Sequence, residues 1–192
     1  MRSLEDLEQR IHADLASRQR KVIERHDLAP AAVLLPLFRK EGIHHVLLTK
    51  RTQKVKTHKG EISFPGGVYD QEDQTLETTA LRESFEEIGL REKDVKILGC
   101  LDDIETVTHY RVRPFVGVFP YPYPFVVNRE EIEEINEVPL EILAEKGFVE
   151  QEEVFLKSGA RIVYSYRYGT HTIWGATAAI LKQFLELICD SP

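Results

Sequence analysis

Hydrophobic and polar positions along the chain predict a domain that mixes helices and strands. The apolar points of residues 3–25 recur at helical spacing and predict a leading helix. Apolar runs at 31–38 and 45–49 predict two strands joined by a turn at Lys40-Glu41-Gly42. Amphipathic patterns predict helices over 76–88, ended by Gly89, and over 176–189, with a short helix after Pro139. Further strands are expected at 95–101, 105–108, 112–119, 132–138, 149–155 and 161–168.

This order of elements favours an α+β fold with a central mixed sheet flanked by helices. Regular strand–helix alternation, which characterises doubly wound folds, is missing. Neither a repeat nor a polar linker divides the 192 residues. We therefore expect a single domain over 1–192, with residues 1–29 as an N-terminal helical extension and 31–188 as the core.

Composition narrows the possible functions. A formal net charge of -7 gives no global positive field, which argues against a nucleic-acid partner. No apolar run approaches the roughly 20 residues that span a bilayer, and residues 1–6 are polar, so we expect a cytoplasmic protein without a membrane partner. Cys100 and Cys189 lack the spacing of a zinc or disulfide framework, and we expect two small buried side chains.

Three carboxylates share one side of the predicted 76–88 helix. Glu83, Glu86 and Glu87 stand at i, i+3 and i+4, within an arc of about 100°. Leu81, Phe85 and Ile88 lie opposite and are expected to form the buried stripe. Like charges at this spacing disfavour a helix, and a hard divalent cation would offset that cost. The alternative is a solvated acidic face.

A glycine turn precedes this helix. Phe64-Pro65-Gly66-Gly67 follows a short apolar run, and glycines let backbone atoms approach a metal or a phosphate closely. Taken alone, Pro-Gly-Gly is only a tight turn. The combination with the acidic helix is far more specific than either part.

Residues 67–90 resemble the Nudix box, in which a glycine and an early glutamate precede Arg-Glu-U-x-Glu-Glu-x-Gly-U, where U is apolar. Here the second half reads Arg82-Glu83-Ser84-Phe85-Glu86-Glu87-Ile88-Gly89-Leu90. Ser84 replaces the first apolar residue. The spacing from Gly67 to Arg82 is one residue longer than the family pattern, so Glu72 or Asp73 has to take the early acidic position and pair with Arg82.

The segment upstream of the box is similar to the coenzyme A pyrophosphatase branch of that family. Residues 47–67 keep its register from Leu-Leu-Thr-x-Arg to Phe-Pro-Gly-Gly. Thr52 stands for the usual serine or alanine, and Lys56 stands for the usual arginine, which removes a bidentate phosphate contact. Residues 137–140 and 173–178 also resemble late motifs of the branch.

The resemblance implies a Nudix fold, an α/β/α sandwich, and hydrolysis of coenzyme A or its thioesters with Mg²⁺ or Mn²⁺. The products would be 3′,5′-ADP and 4′-phosphopantetheine or its acyl derivative. The implied metal ligands are Glu83, Glu86, Glu87 and the carbonyl of Gly66. The candidate catalytic residues are Glu83, Arg82, Glu86, Glu131 and Glu134, with Glu83 first as general base. The candidate substrate-binding residues are Arg51, Lys56, His58, Lys59, Gly66 and Gly67.

Other interpretations stay open at this stage. The substrate could be ADP-ribose, NADH or a nucleoside triphosphate. The chain could instead be a Nudix-fold sensor that binds a nucleotide without cleaving it, although the box carboxylates are present. A homodimer is left open. Trp174 is expected in the core, and His109 and His171 lack metal-ligand spacing.

Overall fold

The computed structural model describes residues 4–55, 58–145, 149–156 and 159–189. Lys56, one of the predicted substrate-binding residues, lies outside these ranges. The helices are α1 (Leu4–Ser17), α2 (Leu76–Ile88), α3 (Leu140–Ala144) and α4 (Gly175–Cys189). The strands are β1 (Ala29–Lys40), β2 (Ile43–Arg51), β3 (Ile62–Ser63), β4 (Gly66–Val68), β5 (Lys96–Cys100), β6 (Ile104–Glu105), β7 (Tyr110–Val118), β8 (Ile132–Pro139), β9 (Val149–Leu156), β10 (Gly159–Tyr168) and β11 (His171–Trp174).

A mixed sheet forms the centre of the domain, with the order β3-β2-β1-β7-β5. Strand β1 runs parallel to β7 and antiparallel to β2 and β4. Strand β8 pairs with β2, and β6 pairs with β7. The parallel pair in the middle makes the sheet mixed, which confirms the predicted class.

Both faces of this sheet are covered. On one face, α2 packs over Leu34 and Leu47, while on the other α1 and α4 pack over Leu35 and Leu48. Because successive strand residues point to opposite faces, a strand covered on both sides needs apolar residues throughout. This requirement explains the unbroken apolar run at 31–38 and completes the α/β/α arrangement.

A second, three-stranded sheet has the order β11-β10-β9 and is antiparallel. It packs beside β3 through β11, and α4 lies against β10 and β11. Trp174 at the end of β11 is 49% exposed, so its expected place in the core was wrong. Cys189, at the end of α4, is exposed rather than buried.

The leading helix ends at Ser17, and the prediction that it reaches residue 25 was wrong. Beyond Ser17 the N-terminal segment forms hydrogen bonds with the loop before β6 rather than within a helix. Arg18 pairs with Asp102, and Arg20 Nη1 donates to Asp103 Oδ1 at 2.7 Å. The Lys21 N–H donates to Asp102 Oδ1 at 3.0 Å and the Ile23 N–H donates to Asp103 Oδ2 at 3.2 Å, so these backbone donors have long-range acceptors in place of helical ones. In the part of the chain described, no helix is long and apolar enough to cross a membrane.

Candidate active site

Helix α2 is held in position by a cap at each end. The Thr75 hydroxyl accepts a hydrogen bond from the Thr78 N–H at 3.1 Å. At the other end, Gly89 adopts φ 71°, and its N–H donates to the Phe85 carbonyl at 2.8 Å. Both caps satisfy backbone groups that a helix end leaves free. The predicted helix over 76–88, ended by Gly89, is confirmed.

The buried side of α2 differs from the predicted stripe. Phe85 is 55% exposed, so its predicted burial was wrong, whereas Ser84 is fully buried. The Ser84 hydroxyl donates to the Ala80 carbonyl at 2.7 Å, which satisfies it without a tertiary partner. A small, satisfied side chain allows α2 to lie close to β1 and β4. The helix is thus rotated about its axis relative to the predicted stripe. As a result Glu87 is buried and Glu86 is half exposed.

Two glycines of β4 lie where a side chain would collide. A Cβ on Gly66, at φ 155°, would stand 2.4 Å from the Ala32 carbonyl oxygen. A Cβ on Gly67 would stand 2.4 Å from Glu83 Oε1. The Pro-Gly-Gly segment is therefore more than a turn, because it pairs with β1 and seats the Glu83 carboxylate against bare backbone.

Arg82 connects the acidic groups of the box. Its Nε and Nη2 donate to the two carboxylate oxygens of Asp73, at 2.9 and 3.0 Å. Its Nη1 donates to Glu83 Oε1 at 3.0 Å and to Glu86 Oε2 at 3.1 Å. Arg82 therefore orients Glu83, as the resemblance implied, and it binds Glu86 as well.

Asp73, and not the exposed Glu72, takes the early acidic position. Its side chain is 3% exposed and also accepts a hydrogen bond from the Thr79 hydroxyl at 2.8 Å. The Arg82 guanidinium lowers the pKa of Asp73 to about 2. Sequence reasoning left this choice open because neighbouring acidic residues in a loop cannot be ranked without the backbone path.

Glu87 is the most deeply buried of the three helix carboxylates. Its Oε1 accepts a hydrogen bond from Arg51 Nη1 at 3.3 Å, and its buried Oε2 has no hydrogen-bond partner among the described residues. Burial raises the pKa of Glu87 to about 8, Arg51 opposes the rise, and the Glu83 carboxylate adds to it. Burial also raises the pKa of Glu83. Ionising these two carboxylates is therefore costly without a positive charge beside them.

A loop between β7 and β8 brings Glu131 to the same corner. The Asn128 N–H donates to the Glu87 carbonyl at 2.9 Å, which ties this loop to the last turn of α2. The Thr52 N–H donates to the Glu131 carbonyl at 2.8 Å. The Glu131 carboxylate lies 3.8 Å from Arg51 Nη2. Asn128 and the Thr52 contacts were not identified from the sequence, which carries no signal for long-range backbone bonds.

Glu134, the other candidate base on this segment, lies elsewhere. Glu134 of β8 pairs with Lys50 of β2. Lys50 is two residues from Leu48 along β2, so both positions belong to the sheet face that α4 covers. The Glu134 carboxylate is 3.8 Å from His171 Nε2 of β11. The structure thus brings Glu131, and not Glu134, to the α2 carboxylates.

Of the predicted basic residues in the described ranges, Arg51 ends β2, and His58 and Lys59 lie in the segment between β2 and β3. Arg51 is the deepest, with a side chain 21% exposed. His58 and Lys59 are exposed, and His58 Nδ1 lies 2.8 Å from Glu61 Oε2. Lys54 pairs with Glu130 at 3.2 Å. This segment therefore carries its cations next to acidic neighbours.

The donor set suits a hard divalent cation such as Mg²⁺. Side-chain oxygens dominate, Glu87 Oε2 is buried without a hydrogen-bond partner in the described part of the chain, and Gly67 leaves room for the Glu83 carboxylate. As they stand, no three His, Cys, Asp or Glu side chains in the described ranges are arranged to hold a metal ion. The predicted convergence is therefore partial, because Arg82 holds Glu83 and Glu86 while Arg51 holds Glu87.

Comparison with known proteins connects this arrangement to a family. A NUDIX domain sequence model matches residues 27–158. A protein of Photorhabdus laumondii named uncharacterized Nudix hydrolase NudL is 36% identical over 158 residues, which cover 82% of this chain and 84% of that protein. The Escherichia coli (strain SMS-3-5 / SECEC) protein of the same name is 31% identical over 162 residues, 84% of each chain.

Solved structures agree at the level of the fold. A Caenorhabditis elegans (C. elegans) Ap4A hydrolase binary complex has a TM-score of 0.51 at 20% identity and covers 58% of this chain and 80% of that one. A MutT/nudix family protein from Enterococcus faecalis has a TM-score of 0.52 at 12% identity, covering 97% of this chain and 73% of that one. With the box geometry, the family match and the relatives in agreement, the chain belongs to the Nudix family.

Proposed function

We propose that this Nudix pyrophosphohydrolase cleaves the diphosphate of coenzyme A or its thioesters and depends on a divalent metal, Mg²⁺ or Mn²⁺. Membership of the family supports the pyrophosphohydrolase chemistry. The observation that carries the metal dependence is the buried Glu87 carboxylate, whose Oε2 has no partner among the described residues, one helical turn from the Glu83 carboxylate on Gly67.

Glu83, Glu86, Glu87 and the Gly66 carbonyl would hold the metal. When bound, it would neutralise phosphoryl oxygens and lower the pKa of a coordinated water. Arg82 orients Glu83 and Glu86 while its other two donors remain on Asp73, so it stays anchored if those carboxylates turn toward a metal. Its contribution is positioning rather than substrate contact.

The proton acceptor for the attacking water is either Glu83 or Glu131. Glu83 is half-buried and held by Arg82, whereas Glu131 is anchored through its own carbonyl and remains 46% exposed. An exposed, anchored carboxylate can exchange its proton with solvent after each turnover. Turnover of Glu131→Gln measured against Glu134→Gln tests this role, because the two glutamates share a segment and only Glu131 lies at the α2 corner.

Coenzyme A as the substrate is supported by the register of the 47–67 signature, which is kept throughout, and by the position of Arg51. The Arg51 guanidinium reaches Glu87 from β2, and the segment that follows β2 carries the exposed side chains of Lys54, His58 and Lys59. A substrate with a further phosphate beyond its diphosphate would gain from these cations. ADP-ribose lacks that phosphate, so it is the informative competitor.

The substrate assignment is tested by offering coenzyme A and ADP-ribose side by side, with and without Mg²⁺, and identifying products by mass. Coenzyme A should give 3′,5′-ADP and 4′-phosphopantetheine only with the metal. If ADP-ribose is cleaved at a higher kcat/KM than coenzyme A, the substrate assignment fails while the hydrolase assignment stands. If neither is cleaved, a panel of NADH and nucleoside triphosphates decides whether the hydrolase assignment also fails.

The metal ligands are tested separately. Glu86→Gln and Glu87→Gln should each lower Mg²⁺-dependent turnover by at least about 100-fold, since each removes an anionic ligand. Glu72→Gln is the matched control, because Glu72 is an exposed carboxylate of the same region, and Arg82 bonds to Asp73 instead. Turnover of the ligand variants within a few-fold of wild type would remove the assignment.

A further inference from the structure

A cavity of about 340 Å³ lies away from the Nudix carboxylates. Its apolar walls come from four elements: Leu7 and Ile11 of α1, Leu37 of β1, Val118 of β7 and Leu140 of α3. This volume is within the range of small-molecule sites. Leu37 belongs to the core on the α1 side of the sheet, while the glycines of β4 pair with β1 about 15 Å earlier along the strand. The cavity is therefore separate from the α2 corner.

Arg39 and His44, which both line this cavity, each have one buried nitrogen atom with no hydrogen-bond partner among the described residues. These atoms are Arg39 Nε and His44 Nε2. Arg39 and His44 are directly opposite each other in the β1–β2 register, so their side chains leave the sheet side by side. Buried polar atoms normally have partners, so two adjacent side chains with unpaired nitrogens beside one cavity would gain hydrogen bonds by turning toward a ligand that supplies acceptors.

The charges around the cavity limit what that ligand can be. Lys96 is paired with Glu8 at 3.3 Å, and Asp94 accepts hydrogen bonds from Arg91 and Tyr123. Arg39 has no ion pair with any other described side chain. Among the described lining residues, the Arg39 guanidinium thus remains available for a negatively charged ligand. The Glu8 and Asp94 carboxylates would repel a ligand with two negative charges.

We infer that this cavity is a second ligand site, which binds a small carboxylate with an apolar body. The two oxygens of a carboxylate match the neighbouring donors of Arg39 and His44, and its apolar body would cover Leu7, Ile11 and Leu37. Burial lowers the pKa of His44, so the imidazole stays neutral and donates through Nε2 when that nitrogen carries the proton. This inference does not depend on the proposed hydrolytic function.

Binding is tested on the wild-type chain in EDTA with three probes: octanoate, octanamide and inorganic phosphate. Methyl NMR should show saturable shifts for Leu7, Ile11 and Leu37 with octanoate, while Leu81 of α2 stays unchanged. Octanamide has the same body without the charge and should bind at least about tenfold more weakly. Phosphate should cause no shifts. Equal binding of octanoate and octanamide, or no saturable binding of octanoate, overturns the inference.

Variants locate the contact. Arg39→Gln should weaken octanoate binding by at least about tenfold, and His44→Leu should weaken it by about threefold or more. Lys93→Gln, an exposed cation outside the cavity lining, should bind octanoate like wild type. If Arg39→Gln does not fold, the His44→Leu variant and the octanamide comparison still decide. Unchanged octanoate affinity in a folded Arg39→Gln variant refutes the site.

Discussion

Replacing the buried Glu87 by glutamine should make the metal-free protein more stable at alkaline pH while it abolishes turnover. The Glu87 side chain is 3% exposed, and its Oε2 has no partner among the described residues. An ionised carboxylate in this position loses hydration that Arg51, at 3.3 Å, and the Gly66 backbone only partly replace. Glutamine has the same shape and no charge, so it removes that cost.

The magnitude follows from the pKa of Glu87, which burial raises from 4.5 to about 8. Since the folded pKa is raised, the native state binds the extra proton between these values, and the free energy of unfolding falls as pH rises through that window. Each pKa unit corresponds to about 1.4 kcal/mol, so the loss is at most about 5 kcal/mol. Coupling to Arg51 and to the Glu83 carboxylate makes a few kcal/mol the expected size.

The assay is urea unfolding in EDTA at pH 5 and pH 8, for wild type, Glu87→Gln and Glu86→Gln. Glu86 is the control because its carboxylate, on the same helix, is 53% exposed and remains hydrated. The Glu87→Gln variant should lose less stability than wild type between pH 5 and pH 8, and the Glu86→Gln variant should follow wild type. Identical pH slopes for wild type and Glu87→Gln would show that no buried charge limits stability here.

Three further substitutions test other parts of the site. Gly67→Ala should lower turnover on the order of 100-fold with an unchanged CD spectrum, because the new Cβ displaces the Glu83 carboxylate; retained turnover would contradict this. Asp73→Asn should lose about 2 kcal/mol in urea unfolding at pH 7 and reduce by about that amount the stability that wild type loses as pH falls from about 4 to 2, where Asp73 is protonated and its pair with Arg82 is lost; an unchanged acid profile would argue against that pair. Thr52→Val should lower kcat about fivefold while Thr52→Ser retains it, since only valine loses the hydroxyl that holds the neighbouring loop; equal rates in the two variants would exclude this role.

The sequence was sufficient for the helix that carries the chemistry and for the class of the fold. The 76–88 helix, its terminal glycine and the mixed sheet all follow from local patterns that the structure retains. The rotation of the helix could not be predicted, because it depends on a buried serine that satisfies its own hydroxyl within the helix. The pattern of apolar residues places Phe85 in the buried stripe and does not include Ser84, whereas the structure exposes Phe85 and buries Ser84.

Choices between neighbouring carboxylates also needed the structure. Asp73 over Glu72, and Glu131 over Glu134, follow from the path of a loop and from the register of β2 with β8. In each pair the two carboxylates are only one or three positions apart in the sequence, yet they have different neighbours in the fold. Such choices depend on long-range pairing, which a single sequence does not encode in any local window.

The bonds between the N-terminal segment and Asp103 make that segment part of the folded domain. The family match starts at residue 27, yet Ile11 and Leu15 lie in the main core, and Arg20 shares the fully buried Asp103 carboxylate with Arg113. A chain trimmed to the family boundary would uncover apolar core and leave that carboxylate with one of its two arginines. Residues 4–25 are thus required to complete the core of this domain, and a minimal version of the enzyme would have to keep them.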